Sequence, residues 1–309
     1  MKILVTGGAG FIGSHVTELL CNQNHDVTVF DDLSKGYREF IDKRAKFIHA
    51  SLENRDAIEK ALQGIDAVVH LAAESIIKYS IDNPHETFRR NIMYLVNLLE
   101  AMRKNNVKYL VFSSSAAVYG EIKDTKPVKE DNKKEPMQPY GASKLSAEVI
   151  LSSYYHCFNI NSVSLRYFNV YGPRDCQLPV TRAVPNWFKA VIKEQPVGLN
   201  WAGKQIRDYI FVKDVAQAHL EVLGKEGYRQ YNIGSGTGNS MLEILNAVFD
   251  ACNKKTEILD LGERPGDPNY LVADTSKILN EIGWKPRFSL KEGMRLTYDF
   301  YKDSKNLPS

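Results

Sequence analysis

The chain has 309 residues, of which 43% are hydrophobic and 25% charged, an ordinary composition for a globular protein with a sizeable core. Its formal net charge of +3 is small and it has no basic block, so composition gives no support to nucleic-acid or anionic-membrane binding. The first apolar strand begins at residue 2, and no apolar stretch approaches the roughly 20 residues of a membrane span, so we expect a cytoplasmic protein. The four cysteines lack metal-ligand spacing, and we expect no metal.

A glycine-rich turn follows this first strand. Residues 2–13 read Lys-Ile-Leu-Val-Thr-Gly-Gly-Ala-Gly-Phe-Ile-Gly, with glycines at Gly7, Gly10 and Gly13 before an amphipathic helix. A diphosphate binds backbone N–H groups at a helix N-terminus, and glycine lets the backbone turn tightly and approach it. The G-x-x-G-x-x-G spacing therefore predicts a cradle for a dinucleotide.

An acidic residue ends the second apolar strand, about 20 residues after the glycines. Val27–Phe30 is followed by Asp31, at the offset where a carboxylate receives the hydroxyls of the adenosine ribose. This carboxylate would repel a 2′-phosphate, although Lys35 and Arg38 nearby could weaken the repulsion. The pattern therefore favours NAD over NADP as the cofactor.

Strands and helix-period segments then alternate along the chain. The predicted elements are a strand at 47–48, a helix at 54–63, a strand at 67–71, a long helix at 86–104 and a strand at 109–112. This alternation predicts an α/β fold, a Rossmann-type doubly wound parallel sheet with a smaller α/β substrate-binding lobe. We expect the NAD-binding domain to span 1–168, with 207–235 returning to it, and the second lobe to span 169–206 and 236–309.

The catalytic candidates follow the last of these strands. Serines 113–115 end it, and Tyr140 and Lys144 lie about 25 residues further on, at the start of a predicted helix. A spacing of four puts the phenol and the ammonium on one helix face, where the cation lowers the pKa of the phenol and suits it to act as a base. Four other Tyr and Lys pairs share the spacing, but this pair follows Pro139 and begins an apolar-periodic helix.

Together these motifs resemble the extended short-chain dehydrogenases/reductases, and within them the NAD-dependent epimerase/dehydratase family of nucleotide-sugar enzymes. The resemblance covers nearly the whole chain, with the motifs in the family's order and spacing. It rests on Thr6 to Gly13, Asp31 to Ser34, His70 to Ala73, Asn91, Ser113 to Gly120, Tyr140 to Lys144, Arg166 to Asn169, Arg207 to Tyr209 and Arg264 to Asp267.

The resemblance implies a role for each catalytic candidate. Tyr140 would take the proton from a sugar 4-hydroxyl while C4 passes hydride to a resident NAD, and the 4-keto sugar would turn over and take the hydride back on its other face. Ser115 would hydrogen-bond the same hydroxyl, and Lys144 would bind the nicotinamide ribose. The implied cofactor contacts are Gly7, Gly10, Phe11, Ile12, Gly13, Asp31, Asp32, Ser34, Gly36, Ser51, Leu52, Leu71, Ala72, Ala73, Asn91, Ser113, Tyr140, Lys144 and Tyr167.

The resemblance also implies how a UDP-sugar would be held. Arg207 and Arg264 would bind the diphosphate as forked donors, Asn169 would donate to it, and Asp267 would reach the nucleotide ribose. Relatives form homodimers by pairing two helices of each subunit, which implies a homodimer here.

Departures from the family pattern narrow the range of possible activities. Ser51 stands where many relatives have an aspartate for the adenine, which should weaken the hold on the cofactor. Ala116 and Ala117 replace the acidic pair that dehydratases need for 4,6-elimination. Leu271 should crowd a 2-acetamido group. We therefore expect a 4-epimerase of UDP-sugars, with UDP-glucose and UDP-galactose as the expected pair.

Other activities stay open. Glu74 and the stretch 75–84 look more like dehydratases and uronate epimerases, and Lys78, Arg89, Arg90 or Arg174 could meet a sugar carboxylate. A UDP-glucuronate/UDP-galacturonate 4-epimerase is therefore the main alternative, followed by another nucleotide-sugar reductase or decarboxylase. A catalytically silent NAD-binding regulator is disfavoured because the Ser, Tyr and Lys set is complete.

Overall fold

The computed structural model describes residues 1–122, 124–176, 182–262 and 269–303, and the chain divides into two compact units. The first unit comprises Met1–Gly120, Asp131–Tyr167 and Ala216–Asn232. The second comprises the described residues of 121–130, 168–215 and 233–309.

Strands and helices alternate through most of the described residues. The strands are β1 Lys2–Thr6, β2 Asp26–Asp31, β3 Lys46–His49, β4 Ala67–His70, β5 Tyr109–Ser115, β6 Asn161–Tyr167, β7 Asn169–Tyr171, β8 Val197–Leu199, β9 Ile206–Phe211, β10 Tyr228–Ile233, β11 Gly238–Ser240, β12 Ile258–Asp260 and β13 Tyr270–Leu271. The α-helices are α1 Phe11–Asn22, α2 Arg55–Ala61, α3 Ile77–Asp82, α4 Pro84–Phe88, α5 Tyr94–Lys104, α6 Pro139–Phe158, α7 Ala183–Ile192, α8 Val212–Val222, α9 Met241–Cys252, α10 Ser276–Ile282 and α11 Leu290–Tyr301. No helix of this described part is long and apolar enough to span a membrane.

A seven-stranded sheet in the order β10-β6-β5-β4-β1-β2-β3 confirms the predicted doubly wound fold. The pairings from β3 to β6 are parallel, and the strand order reverses between β1 and β4. The central strands are apolar on both faces because helices cover both sides; Ile3–Val5 and Val68 have no exposed side chain. The carboxyl ends of β1, β2, β4, β5 and β6 lie at one edge, where a doubly wound sheet binds its ligands.

The predicted long helix at 86–104 is observed as one helical run from Pro84 to Lys104, whose middle departs from α-helical geometry. Between α4 and α5 the chain forms a π-helical turn over Arg89–Met93. Within it, the buried Asn91 amide donates to the Glu74 carbonyl at 2.9 Å and to Ser143 Oγ at 2.9 Å, and its oxygen accepts from the Glu74 N–H at 2.8 Å. The wider turn is thus fixed by contacts that helical periodicity does not reveal.

The boundaries of the two units differ from the predicted domain boundaries most at 207–215 and 121–130, and by one to three residues at 168 and 233–235. Residues 207–215 belong to the second unit because β9 pairs with β7, β11 and β13 there. Residues 121–130 also belong to it, since Val128 forms backbone hydrogen bonds with Val272 and Asp274 at 2.8 Å each. In both cases, pairing between distant segments decides the assignment.

Candidate functional site

The glycine turn after β1 has a backbone that only glycine adopts without strain. Gly7 has φ +73°, and a Cβ there would lie 2.6 Å from the Ala72 nitrogen, in the loop after β4. A Cβ on Gly13 would collide with the carbonyl oxygen of Gly7. The two glycines therefore let the start of α1 and the loop after β4 pack closely against the turn.

The same turn leaves room and donors for a phosphate. A Cβ on Gly10 would meet only the Gly7 carbonyl oxygen within 4 Å, at 3.3 Å. The first backbone hydrogen bond of α1 runs from the Ser14 N–H to the Gly10 carbonyl at 3.0 Å. The N–H groups of Ile12 and Gly13 therefore have no carbonyl partner within the helix. This geometry fits a dinucleotide diphosphate at the N-terminus of α1.

Asp31 lies at the end of β2, next to the turn, and is 8% exposed. Its two oxygens accept the N–H groups of Ala9 at 3.0 Å and Leu33 at 2.8 Å. Burial raises the pKa of Asp31, against the opposing effect of these hydrogen bonds. Each carboxylate oxygen has a second lone pair with which to accept a ribose hydroxyl.

The two cations near Asp31 have partners of their own. Lys35 Nζ lies 3.5 Å from the buried carboxylate of Glu74, and the Arg38 guanidinium lies over the Phe47 ring at 4.8 Å. These contacts strengthen the preference for NAD over NADP, since both groups are engaged away from Asp31.

Other predicted cofactor residues line the loops after β2 and β3. Asp32 accepts the Ser34 N–H at 2.9 Å, and Ser51 Oγ accepts the Glu53 N–H at 3.2 Å. Gly36 lies against Ala9, where a Cβ would be 2.7 Å from the alanine methyl. The Leu52 side chain belongs to the hydrophobic core, and its carbonyl accepts the Asn97 amide at 3.0 Å.

The loop after β4 is joined to the turn through its backbone and through a histidine. The Leu71 N–H donates to the Thr6 carbonyl at 3.0 Å, and Thr6 Oγ1 lies 2.7 Å from His70 Nδ1. Burial, reinforced by the Lys144 ammonium, lowers the pKa of His70 to about 3. His70 is therefore a neutral packed residue.

Lys144 lies buried behind the end of β5. Its ammonium donates to the Ser113 carbonyl at 2.7 Å and lies 4.8 Å from the centre of the Phe112 ring and 5.9 Å from that of Tyr140. Burial lowers the pKa of Lys144 to about 7, against the opposing effect of the Glu148 carboxylate. The predicted Tyr and Lys pair is thus placed on one face of α6.

Tyr140 lies in the first turn of α6, which begins at Pro139. Its N–H donates to Ser80 Oγ at 3.2 Å. The helix start packs against the short turn after β5, because Gly141 has no Cβ to strike the Ala117 carbonyl oxygen. Ser115 caps that turn by accepting the Ala117 N–H at 3.2 Å. Ser113, Ser115, Tyr140 and Lys144 therefore meet at one edge of the sheet.

Of the predicted substrate residues, Ser115 and Tyr140 lie in the first unit, and the diphosphate-binding residues Asn169 and Arg207 lie in the second. Arg207 and Leu271 are paired in register on β9 and β13, and Asn169 on β7 pairs with Tyr209 on β9. The Asn169 amide donates to the Asp208 carbonyl at 3.1 Å. Arg264 and Asp267 lie outside the described residues.

Comparison with known proteins identifies the family. Residues 3–234 match the model of the NAD dependent epimerase/dehydratase family. The chain belongs to this family. The UDP-glucose 4-epimerase of Lactobacillus helveticus is 37% identical over 311 residues, covering 93% of this chain and 92% of the relative.

Solved structures of family members have the same fold. The UDP-glucose 4-epimerase of Thermus thermophilus, in complex with NAD, is 38% identical with a TM-score of 0.92, covering 98% of this chain and 100% of that one. The UDP-glucose 4-epimerase of Thermotoga maritima, with UDP-glucose, is 33% identical with a TM-score of 0.95, covering 99% and 100%.

Two polar contacts of this family member were not predicted from its sequence. Tyr167 OH lies 2.7 Å from Nε2 of the buried His219, for which the sequence carries no signal. Arg166 and Glu148 form a buried ion pair directly behind the catalytic candidates. The spacing offered a clue here, because Glu148 lies one helical turn after Lys144 and Arg166 precedes Tyr167.

Proposed function

We propose that this chain is a NAD-dependent UDP-sugar 4-epimerase that interconverts UDP-glucose and UDP-galactose. The observation that carries this proposal is the placement of Tyr140 and Lys144 on one face of α6, beside the serine end of β5. Relatives that share more than a third of its residues are named UDP-glucose 4-epimerases, which supports the same assignment.

In this proposal Tyr140 accepts the proton of the sugar 4-hydroxyl, and the Lys144 ammonium favours the phenolate that does so. Ser115 holds the same oxygen by a hydrogen bond. A NAD held by the glycine turn and Asp31 would supply the acceptor for the C4 hydride and the donor for its return. Tyr140 gives its proton back to the 4-keto oxygen in the second half-reaction, so the protein is unchanged after each turnover.

Contacts near the active site support a neutral sugar over a uronate. Three of the cations that could meet a sugar carboxylate form ion pairs with acidic side chains. Lys78 lies 3.4 Å from Asp82, and Arg89 and Arg90 lie 2.8 and 2.6 Å from Glu86. Arg207 and Asn169 of the second unit are proposed to hold the diphosphate, together with Arg264, while Asp267 reaches the nucleotide ribose.

A homodimer is also proposed, since apolar side chains are exposed where helices of the first unit pack together. Val149 on α6 is 63% exposed, Ile81 on α3 57% and Met93 48%. Light scattering tests this: Val149→Glu should halve the mass of the wild-type particle, whereas Leu279→Glu on α10 should not. A monomer mass for the wild type would contradict the homodimer, and a dimer mass for Val149→Glu would contradict this interface. The cytoplasmic location stays a prediction.

The activity is tested by incubating the purified protein with UDP-galactose, UDP-N-acetylglucosamine and UDP-glucuronate, without added cofactor, and resolving the epimers by NMR. We expect UDP-glucose to form from UDP-galactose with no net change in NADH absorbance. If UDP-glucuronate is epimerised faster than UDP-galactose, the proposed substrate is wrong and the uronate takes its place. In a parallel incubation with added NADH, stoichiometric consumption of NADH would make the protein a reductase.

A further inference from the structure

A buried ion pair joins α6 to the neighbouring strand of the sheet. Arg166 on β6 donates from Nε to Glu148 Oε1 at 2.9 Å and from Nη2 to Oε2 at 2.7 Å. Both side chains are 3% exposed. This is a two-bond fork of the kind that fixes the relative orientation of two groups as well as their distance.

Three further buried side chains complete the network. Ser114 on β5 donates to Glu148 Oε1 at 2.6 Å. Arg166 Nη1 donates to Tyr119 OH at 2.8 Å, which in turn donates to Asn232 Oδ1 at 2.6 Å. Hydrogen bonds thus link α6, β5, β6 and β10, and such networks make a buried region rigid.

Each charged or hydroxyl member that touches Glu148 lies next to a proposed active-site residue. Ser114 precedes Ser115, and Arg166 precedes Tyr167. Glu148 itself lies one helical turn beyond Lys144 and two beyond Tyr140. A shift of α6 along the sheet would therefore move the proposed base and break the fork at the same time.

A stability role alone does not account for this pair. Removing two charges from water is costly, and a well-packed apolar pair of similar volume often serves stability as well or better. The structure assigns Glu148 and Arg166 the role of positioning residues. The pair holds α6 in register with β5 and β6, and so places the Lys144 ammonium beside Tyr140. This inference rests on the proposed function, in which Tyr140 is the base.

Several elements supply the groups that face the Lys144 ammonium. Its own helix carries Tyr140 and Glu148, β4 carries the neutral His70, and β5 supplies the Ser113 carbonyl and the Phe112 ring. The other helical segments packed against α6 have charged groups in pairs of their own: Lys78 with Asp82, Glu86 with Arg89 and Arg90, and Glu100 with Arg103. Glu148 is the anion that acts on Lys144, and it raises the pKa of that lysine.

The test compares Glu148→Gln with the double variant Glu148→Gln/Arg166→Met. In the single variant Lys144 loses its anion and keeps the unpaired Arg166 nearby, so the Lys144 pKa falls, the phenolate loses its cation and the pKa of Tyr140 rises. We expect the acid limb of the kcat profile to move up by about one pH unit, with a roughly tenfold loss of kcat at neutral pH. The double variant removes the unpaired charge, so its thermal midpoint should recover while the pH shift remains.

A direct titration keeps this test separate from the proposed function. Tyrosinate absorbance of the NAD-loaded protein, with the matching Tyr140→Phe variant as the blank, reports the pKa of Tyr140 without any sugar. If the wild type fails to epimerise, the proposed function fails, and a raised Tyr140 pKa in Glu148→Gln still supports the positioning role. Glu194→Gln, which breaks the exposed pair with Lys254, is the matched control and should change neither profile.

Three results would overturn the inference. The first is an unshifted pH profile and an unshifted Tyr140 titration in Glu148→Gln. The second is a double variant whose pH profile returns to that of the wild type together with its thermal midpoint, because stability alone would then explain the pair. The third is failure of both variants to fold, which would give the pair a structural role only.

Discussion

The two units hold their candidate residues in different ways. In the first unit, Ser115 and Lys144 lie on a long strand and a 20-residue helix, and buried partners fix the elements themselves. In the second unit, Asn169 and Arg207 lie on strands of three and six residues. Residues on long, cross-linked elements keep the geometry that proton transfer requires, whereas short strands suffice to present donors to a diphosphate.

One buried carboxylate organises the strands of the second unit. Asp208, with no exposed surface, accepts the N–H groups of Ser235 at 2.7 Å, Gly236 at 3.0 Å and Ala273 at 3.1 Å. It also neighbours Arg207 on β9. The comparison therefore predicts that substitutions in the first unit lower kcat and that those in the second raise KM.

The substitution with the largest expected effect on kcat is Tyr140→Phe. Removing the hydroxyl removes the proposed base while keeping the ring, so kcat should fall by about 10²- to 10⁴-fold. Steady-state epimerisation of UDP-galactose measures this, and absorbance of the purified protein should show wild-type NAD content. The matched control is Tyr298→Phe on α11, which shares the spacing to a lysine and should retain full activity. A kcat within about threefold of the wild type would remove Tyr140 from the mechanism.

The next effect should appear in KM. Arg207→Gln removes a charged donor from the proposed diphosphate site, and a hydrogen bond to a charged group contributes about 1.5–3 kcal/mol, so KM should rise by about 10- to 100-fold with little change in kcat. Arg295→Gln, at an exposed pair with Asp299, is the control. A fall in kcat without a rise in KM would contradict the division of roles between the two units.

Sequence predicted the parts of this molecule that local rules determine. The glycine turn, the alternating strands and helices, and Asp31 about 20 residues downstream depend on spacing within one βαβ unit. The resemblance to a family, since confirmed, gave Tyr140 and Lys144 their roles, because four other pairs share their spacing. Their joint placement on one face of α6 follows from helical periodicity alone.

The features that the sequence did not reveal are those that depend on contacts between residues far apart in the chain. The π turn at 89–93 exists because Asn91 bonds to Glu74 and Ser143, which are 17 and 52 residues away. Arg166 reaches Glu148 across 18 residues, between a strand and a helix that no local pattern joins. The same holds for the segment at 121–130, since only its bridge to Ala273 shows that it belongs to the second unit.

A smaller effect should appear in the pH dependence of stability. Lys144 has a pKa of about 7 in the folded protein, against 10.5 as its ordinary value. Between these values the unfolded chain binds the proton more tightly, so the free energy of unfolding should rise with pH by up to about 1.4 kcal/mol per unit. Urea denaturation of the NAD-free protein between about pH 7.5 and 9.5 measures this slope.

Lys144→Met is the matched variant for this slope. Methionine fills a similar volume without a charge, so the contribution of Lys144 disappears and the curve of the variant should be flatter than that of the wild type. Parallel curves would show that Lys144 titrates outside this range. The difference in slope between the two proteins measures the free energy that burial of the Lys144 ammonium in the first unit costs when no ligand is bound.

The smallest expected effect concerns the hold on NAD. Ser51 offers one neutral oxygen, which already accepts the Glu53 N–H at 3.2 Å. In Ser51→Asp one carboxylate oxygen can keep that bond while the other accepts from the adenine amino group, a gain of about 1 kcal/mol or roughly fivefold in Kd. NAD released during dialysis, measured for the wild type, Ser51→Asp and Ser51→Ala, tests this. Equal retention in all three would show that the adenine is held elsewhere. Weaker retention in the aspartate variant would show that the adenosine end avoids this part of the loop after β3, so that the grip on the cofactor depends on the glycine turn and Asp31.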